Sequence, residues 1–295
     1  HDFDATNLFA SPALIDKVGR YASAHDIKLP SLKRVISAGA PAEAESLERF
    51  STLLADGVHV FPSYGATEAL PVTKIDSAEL IGETAALTDT GAGVCVGRPV
   101  NGVEARIIRI TDDPLDAWDD DFELAHGQIG EICVKGPVVS EAYYAREQST
   151  RLAKIADPAD GGLWHRMGDL GYFDDTGRLW FCGRKAHRVE TRDGTLFTVP
   201  CERIFNTHPK VRRTALVGVA RNGLTFPLLC VELEKNERGT HIEVLKRELA
   251  EIGERYDRTR GIHAILIHPG FPVDVRHNAK IFREKLADWA QEKFS

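Results

Sequence analysis

Between Trp164 and Arg188 the chain reads WHRMGDLGYFDDTGRLWFCGRKAHR. Asp169 stands between Gly168 and Leu170, and the run Gly183, Arg184, Lys185, Ala186, His187, Arg188 is glycine-led and basic. Tyr172 and Phe173 lead into Asp174, Asp175, Thr176 and Gly177, and Leu179 to Cys182 run back. That pattern predicts a hairpin with a carboxylate at one end and a cationic cluster at the other. A carboxylate can take both hydroxyls of a ribose, and an arginine offers a planar fork to phosphate oxygens. The combination suits a nucleotide. A turn cap and a solvated interdomain connector would use the same residues, and this stretch alone leaves both readings open.

A second group is Ser63, Tyr64, Gly65, Ala66, Thr67, Glu68. Tyr64 offers a ring on which a base can stack and Gly65 permits close approach of a ligand to the backbone. Thr67 offers a hydroxyl to phosphate, and Glu68 can hold a divalent cation. A polar strand exit with a capping threonine is the plainer alternative. The third element is Lys280, in the run Pro272 to Ile281 ahead of a final helix expected to start near Asn278. A lysine in a first helical turn adds its ammonium to the positive end of the helix dipole and makes an anion site. A surface lysine in a helix that also holds Arg283, Lys285 and Lys293 would look the same.

The elements that must position these residues follow from periodicity. Asn7 to Ala10 reads as a buried strand, and Ser11-Pro12 opens a helix with Leu14, Ile15, Val18 and Tyr21 at helical spacing. Arg34 to Ser37 is a second strand that runs into Ala38, Gly39, Ala40 and Pro41. A helix with Leu47, Phe50 and Leu54 on one face follows, then a strand from Val58 to Phe61. Strand-helix alternation signals a parallel sheet covered by helices, whose ligands gather at the carboxyl ends of the strands. The Gly39 turn and the segment after Phe61 both lie at such ends. From Gly91 the pattern changes to short strands, Val94 to Val96, Val103 to Ile110 and Gly130 to Val134, which predicts a small antiparallel barrel or distorted sheet. Asp112 to Asp121 reads as a solvated loop. After the basic run a small α+β region is expected: a helix over Pro200 to Asn206, strands Thr214 to Val219 and Leu228 to Leu233, and a helix over Ile242 to Ile252. A strand from Ala264 to Ile267 comes next, and a last helix carries Ile281, Phe282, Leu286 and Trp289 inward.

Composition sets the outer limits. The 295 residues suffice for two domains, with 43% hydrophobic and 27% charged residues, ordinary for a globular protein. A net charge of -7 argues against general binding to nucleic acid or anionic membrane. No apolar run reaches the length of a membrane span. Cys95, Cys133, Cys182, Cys201 and Cys230 lack the paired spacings of a zinc site. The expected location is the cytoplasm.

Taken in order, Ser37 to Pro41, Tyr64 to Glu68, Gly130 to Gly136, Met167 to Leu170, Gly183-Arg184 and Asn278 to Lys280 resemble the motifs of the adenylate-forming enzymes. That family includes acyl-CoA synthetases, luciferases and nonribosomal adenylation domains. The resemblance implies an α/β plus α+β fold. Residues 1–100 would form part of the α/β adenylation core, 101–184 a β-rich, barrel-like subdomain ending at a hinge, and 185–295 a mobile C-terminal domain. It implies ATP and Mg²⁺ as cofactors. Gly39 and Ala40 would wall the adenine pocket with Tyr64 against the base, Thr67 would contact phosphate, and Glu68 would hold Mg²⁺. Asp169 would bind the ribose hydroxyls, Arg184 would reach ribose or phosphate, and Lys280 would neutralise charge on the carboxylate and α-phosphate as they react.

Two departures narrow the resemblance. Ala186 stands where the family has an Asp or Lys as the hinge residue, and Glu190 to Phe197 replaces the lysine and short glycine loop that serve thioester formation in acyl-CoA synthetases. With the run Val273 to Lys280, they make the chain resemble the β-lactone synthetases of bacterial long-chain olefin biosynthesis. A long-chain 2-alkyl-3-hydroxy fatty acid would be adenylated, and its own 3-hydroxyl would then displace AMP. His187 and His277 are candidates for the base. Assembly with other enzymes of an olefin pathway is implied by the resemblance alone. The family's Gly/Ser/Thr-rich phosphate loop has no match, so the chain is expected to be the C-terminal half of a longer protein and inactive by itself. A long-chain acyl-CoA synthetase and a non-catalytic nucleotide-binding remnant are the alternatives.

Overall fold

The computed structural model describes residues 3–237, 241–274 and 281–294. The chain divides into two compact units, residues 1–85 with 95–181, and residues 86–94 with 182–295. In the first unit, strands β1 (Asn7–Ala10), β2 (Arg34–Ala38) and β3 (Val60–Ala66) run parallel, and the helices Pro12–Ala24 and Ala44–Ser51 make the crossovers. This is the alternation that the sequence predicts. Ser11 caps the first helix, its hydroxyl accepting from the Leu14 N–H at 3.4 Å, and Pro12 begins it without wasting a donor. The buried face differs from the expected stripe. Ile15, Gly19 and Ala22 are buried, whereas Leu14 and Tyr21 are exposed. The two helices close on the smallest residue: a Cβ placed on Gly19 would lie 3.7 Å from the Phe50 backbone nitrogen. The second helix ends at Ser51, so helical spacing no longer selects Leu54, and Leu53 joins Leu47 and Phe50 in the core.

After a turn at Thr67 and Glu68 the chain returns antiparallel as β4 (Ala69–Lys74), a strand beyond those expected. Then come β5 (Val94–Pro99), β6 (Glu104–Ile108), β7 (Gly130–Lys135), β8 (Lys154–Ala156), β9 (Leu163–Phe173) and β10 (Leu179–Arg184), the last leading out of the first unit. All ten belong to one sheet, in the order β1-β2-β3-β4-β5-β10-β9-β7-β6, with β8 alongside β9. The β-rich portion is therefore an open antiparallel continuation of the parallel strands; among the described residues it does not close into a barrel. Alternate residues face inward, and Ala69, Val72, Val103, Ile107, Ile132, Val134, Met167 and Leu179 form one buried cluster.

The β9–β10 hairpin forms as expected, and Asp174 holds its turn. Its Oδ1 accepts from the Thr176 N–H at 2.9 Å and the Arg178 N–H at 3.0 Å, while its Oδ2 accepts from Arg178 Nε at 2.8 Å and Trp180 Nε1 at 2.9 Å. Partial burial would raise this carboxyl's pKa, but these donors outweigh burial and hold it far below the usual range.

The second unit has a hairpin, β11 (Val189–Thr191) with β12 (Gly194–Leu196), and a three-stranded sheet of β13 (Val211–Arg221), β14 (Leu224–Leu233) and β15 (Ala264–Ile267). Helices Thr198–Phe205 and Ile242–Gly253 supply Cys201, Phe205, Leu245 and Leu249 to one core cluster, and helix Arg283–Phe294 supplies Leu286 and Ala290 to another. That last helix begins at Arg283, past the expected start, because Ile281 is paired with Val273 in an isolated bridge. No described helix is long and apolar enough to cross a membrane.

Candidate functional site

The first unit gathers most of the residues that the sequence singles out. Ala38 on β2 is in register with Ser63 on β3, so the chain turns out of the sheet at Gly39-Ala40 beside Tyr64 to Ala66, which continue β3 as far as the Thr67-Glu68 turn. Gly39 has φ +100°, and the space where a Cβ would stand is open. A non-glycine residue there would be strained and would fill that space. Two residues earlier, Ser37 Oγ is buried without a hydrogen-bond partner among the described residues.

Asp169 reaches the same place from β9. Glu131 and Cys133 on β7 pair with Leu170 and Arg166, so one residue on β7, Ile132, faces three on β9 and the strand bulges at Met167 to Asp169. A bulge re-aims a side chain out of the sheet's alternation. Asp169 is only 3% exposed, and its Oδ2 accepts a hydrogen bond of 2.7 Å from Tyr64 Oη, across 105 positions of sequence. The Tyr64 ring lies 6.0 Å from the Phe181 ring, tilted by 41°.

Thr67 and Glu68 form the turn between β3 and β4, with Thr67 exposed and Glu68 half-buried. Three groups hold the turn. The Ser140 N–H donates to the Glu68 carbonyl at 2.8 Å, Ala69 bridges to Val139, and Tyr143 Oη donates to Glu68 Oε1 at 2.9 Å. Partial burial would raise the pKa of this carboxyl. It is lowered instead, because its own backbone N–H, the Tyr143 hydroxyl and the Lys154 charge favour the anion. Lys154 Nζ donates to the carbonyl and, at 3.4 Å, to the hydroxyl of Ser140. Burial depresses the Lys154 pKa while Glu68 pulls it up. His165, in register with Lys154, is driven down to about 4 by burial and by the Lys154 charge, and its Nδ1 lies 3.2 Å from the Ala153 carbonyl.

Among the described residues no group of three or more His, Cys, Asp or Glu side chains could hold a metal by itself. An ionised, anchored carboxylate such as Glu68 fits Mg²⁺ in the way usual at nucleotide sites, through one carboxylate, phosphate oxygens and water.

The other predicted residues belong to the second unit. Arg184 is exposed at the end of β10. Ala186 is exposed in a single 3₁₀ turn, Lys185–His187. His187 Nε2 lies 3.4 Å from Glu284 Oε1, and burial, with the nearby Arg283 charge, lowers its pKa. The unusual segment from Glu190 folds into the β11–β12 hairpin, and Glu190 pairs with Arg188 at 2.9 Å. His277 and Lys280 lie outside the described residues.

Sequence reading missed Tyr143, Ser140 and Lys154. The available signal was Lys154 itself, a lone charge in the apolar run Leu152-Ala153-Lys154-Ile155-Ala156.

Parallel strands ending in a glycine turn, a tyrosine bonded to a buried aspartate and an anchored glutamate together make an arrangement chemically able to take a nucleotide. Residues 1–144 match the model of the family described as AMP-binding enzyme, the adenylate-forming enzymes whose motifs the sequence resembles. Within them, the chain is 46% identical over 294 residues to the olefin beta-lactone synthetase of Xanthomonas campestris, covering 99% of this chain and 52% of that protein. It is 47% identical over 291 residues to the olefin beta-lactone synthetase of Stenotrophomonas maltophilia, covering 98% and 51%. The chain thus spans about half the length of these relatives. A solved structure, the amide bond synthetase McbA from Marinactinospora thermotolerans, has the same fold, with TM-score 0.75 and 22% identity over 97% of this chain and 53% of that one.

Proposed function

We propose that this chain is the nucleotide-handling half of an ATP-dependent β-lactone synthetase. The observation that carries the reading is the match along almost the whole chain to two proteins named olefin beta-lactone synthetase. The geometry of the first unit supports it. Asp169 accepts the two ribose hydroxyls, Tyr64 lies along the base with its hydroxyl steering Asp169, and Gly39 and Ala40 wall the adenine. Thr67 donates to phosphate and Glu68 holds Mg²⁺, which would neutralise charge on the phosphates.

The substrate is a long-chain 2-alkyl-3-hydroxy fatty acid. Its carboxylate attacks the α-phosphorus and pyrophosphate leaves. The 3-hydroxyl oxygen then attacks the acyl carbonyl, loses its proton, and AMP departs as the four-membered ring closes. Both steps build charge at the α-phosphate, so fixed cations there lower the barrier; Arg184 and Lys280 fill that role. The second step is intramolecular, and effective concentration replaces the binding of a thiol. The β11–β12 hairpin, in place of a short glycine loop, accords with a reaction that uses no CoA. Location in the cytoplasm and assembly with enzymes that make or consume the lactone belong to the same reading.

A protein of the relatives' full length carrying this chain, given ATP, Mg²⁺ and the hydroxy acid without CoA, should yield β-lactone ring protons by NMR together with AMP. Product that forms only when CoA is added would replace this reading with an acyl-CoA ligase. Similarity to the phenylacetyl-CoA ligase epaB of Aspergillus niger, 32% over 193 residues, favours that second reading.

A further inference from the structure

Lys154 is 7% exposed, and the hydrogen bonds of its ammonium among the described residues go to the carbonyl and hydroxyl of Ser140, both neutral oxygens. For stability alone this is a poor arrangement. A buried cation held by neutral acceptors loses more hydration than it regains, and an apolar residue in β8 would serve the strand better. The anion that acts on Lys154 is Glu68, and the influence is mutual. One residue joins them: Ser140 accepts from Lys154 through its carbonyl and hydroxyl and donates its N–H to the Glu68 carbonyl at 2.8 Å. Of the other groups packed here, Tyr143 is a neutral donor to Glu68, and His165, opposite Lys154 in register, is neutral near pH 7.

We propose that Lys154 is the built-in counter-cation of Glu68. It balances the carboxylate while no metal-nucleotide is present, and so makes entry of a divalent cation depend on phosphates that bring their own negative charge. The proposal rests on the reading of Glu68 as the cation ligand. It has a sign that a structural role lacks. A lysine that only braces the Ser140 loop would, when removed, loosen Glu68 and weaken cation binding. A counter-cation, when removed, leaves Glu68 more attractive to a free cation.

The test titrates Mn²⁺ into the nucleotide-free chain and reads free Mn²⁺ by EPR. Lys154→Met should bind Mn²⁺ about tenfold more tightly than the unaltered chain, a modest part of the like-charge repulsion at such a site. The gain should vanish in Lys154→Met with Glu68→Gln, and Tyr143→Phe, which removes no charge, should stay within about twofold. Affinity unchanged or weakened in a folded Lys154→Met overturns the proposal. Failure of the underlying reading looks different: Glu68→Gln would then leave Mn²⁺ and Mn²⁺-ATP binding as they were. If Lys154→Met does not fold, the double variant decides. Recovery of the fold when both charges are removed supports the pairing, and a double variant as unfolded as the single one overturns it.

Discussion

Asp169 and Tyr64 carry the first prediction at the scale of single residues. A buried carboxylate that accepts from a phenol at 2.7 Å is already aimed before a ligand arrives, and a ribose gains two hydrogen bonds to a charged group. Asp169→Ala should weaken AMP binding to the chain by ~10- to 100-fold, the worth of about 1.5–3 kcal/mol for bonds to a charge. Tyr64→Phe removes only the steering hydroxyl and should cost about fivefold, within the range for one neutral donor; calorimetric titration with AMP measures both. Lys280 gives the contrasting case. In a protein of the relatives' full length, Lys280→Ala should slow adenylation by roughly 10²- to 10³-fold, as loss of a transition-state charge contact does, with AMP affinity nearly unchanged. Pyrophosphate exchange reads the first quantity, and equal loss of both would point to folding. The charge-bearing side chains that sequence could single out were those in short motifs, such as Tyr64 to Glu68. Tyr143 and Lys154 escaped because their role arises from a partner 75 positions away for Tyr143 and from a loop contact for Lys154, neither of which leaves a local spacing.

Among the elements, β9 does the most to position the site, and Arg166 is what keeps it in place. Arg166 and Glu131 are 2% and 1% exposed and meet at 2.7 Å across β7 and β9. The same guanidinium donates to the carbonyls of Asp113 at 2.8 Å, Leu152 at 3.2 Å and Thr111 at 2.5 Å. It therefore ties a loop and a helix end to the strand that bulges at Asp169. Arg166→Met would strand a buried carboxylate and three carbonyls, and should cost about 3–5 kcal/mol of stability, measured by urea denaturation. A loss below 1 kcal/mol would mean that water reaches Glu131. Elements of this kind were legible from sequence wherever periodicity and punctuation agree. The strands from Asn7, Arg34 and Gly130 begin where expected. What failed was a face decided by a neighbour's size, as at Gly19, and a start decided by a bridge, as at Ile281. The strand β4 was hidden because its turn is made of Thr67 and Glu68 in place of an ordinary Asn-Gly or Asp-Gly signal.

For the whole molecule, stability should fall with acid in two windows, both set in the first unit. His165 is neutral in the fold down to about pH 4, because burial and the Lys154 charge disfavour its cation. An unfolded chain takes up that proton near pH 6.5. Between about 6.5 and 4 the unfolded state therefore binds more protons, and stability declines as pH falls through that range. Asp157 acts lower. The Lys135 ammonium at 2.6 Å, the Ala159 N–H and the Trp164 indole hold its carboxyl at about 2. Its contribution is complete above the ordinary value near 3.8 and is lost as pH falls toward 2. Tryptophan fluorescence should follow both losses, since Trp118, Trp164 and Trp180 lie in the first unit and only Trp289 in the second. The expected result is a urea midpoint that drops from pH 6.5 to 4 and again below 4. His165→Gln removes the titrating ring and should flatten the upper window while leaving the lower one. An upper slope that survives in His165→Gln would assign it to other groups and would mean that the buried ring beside Lys154 takes up its proton in the fold as readily as in the unfolded chain.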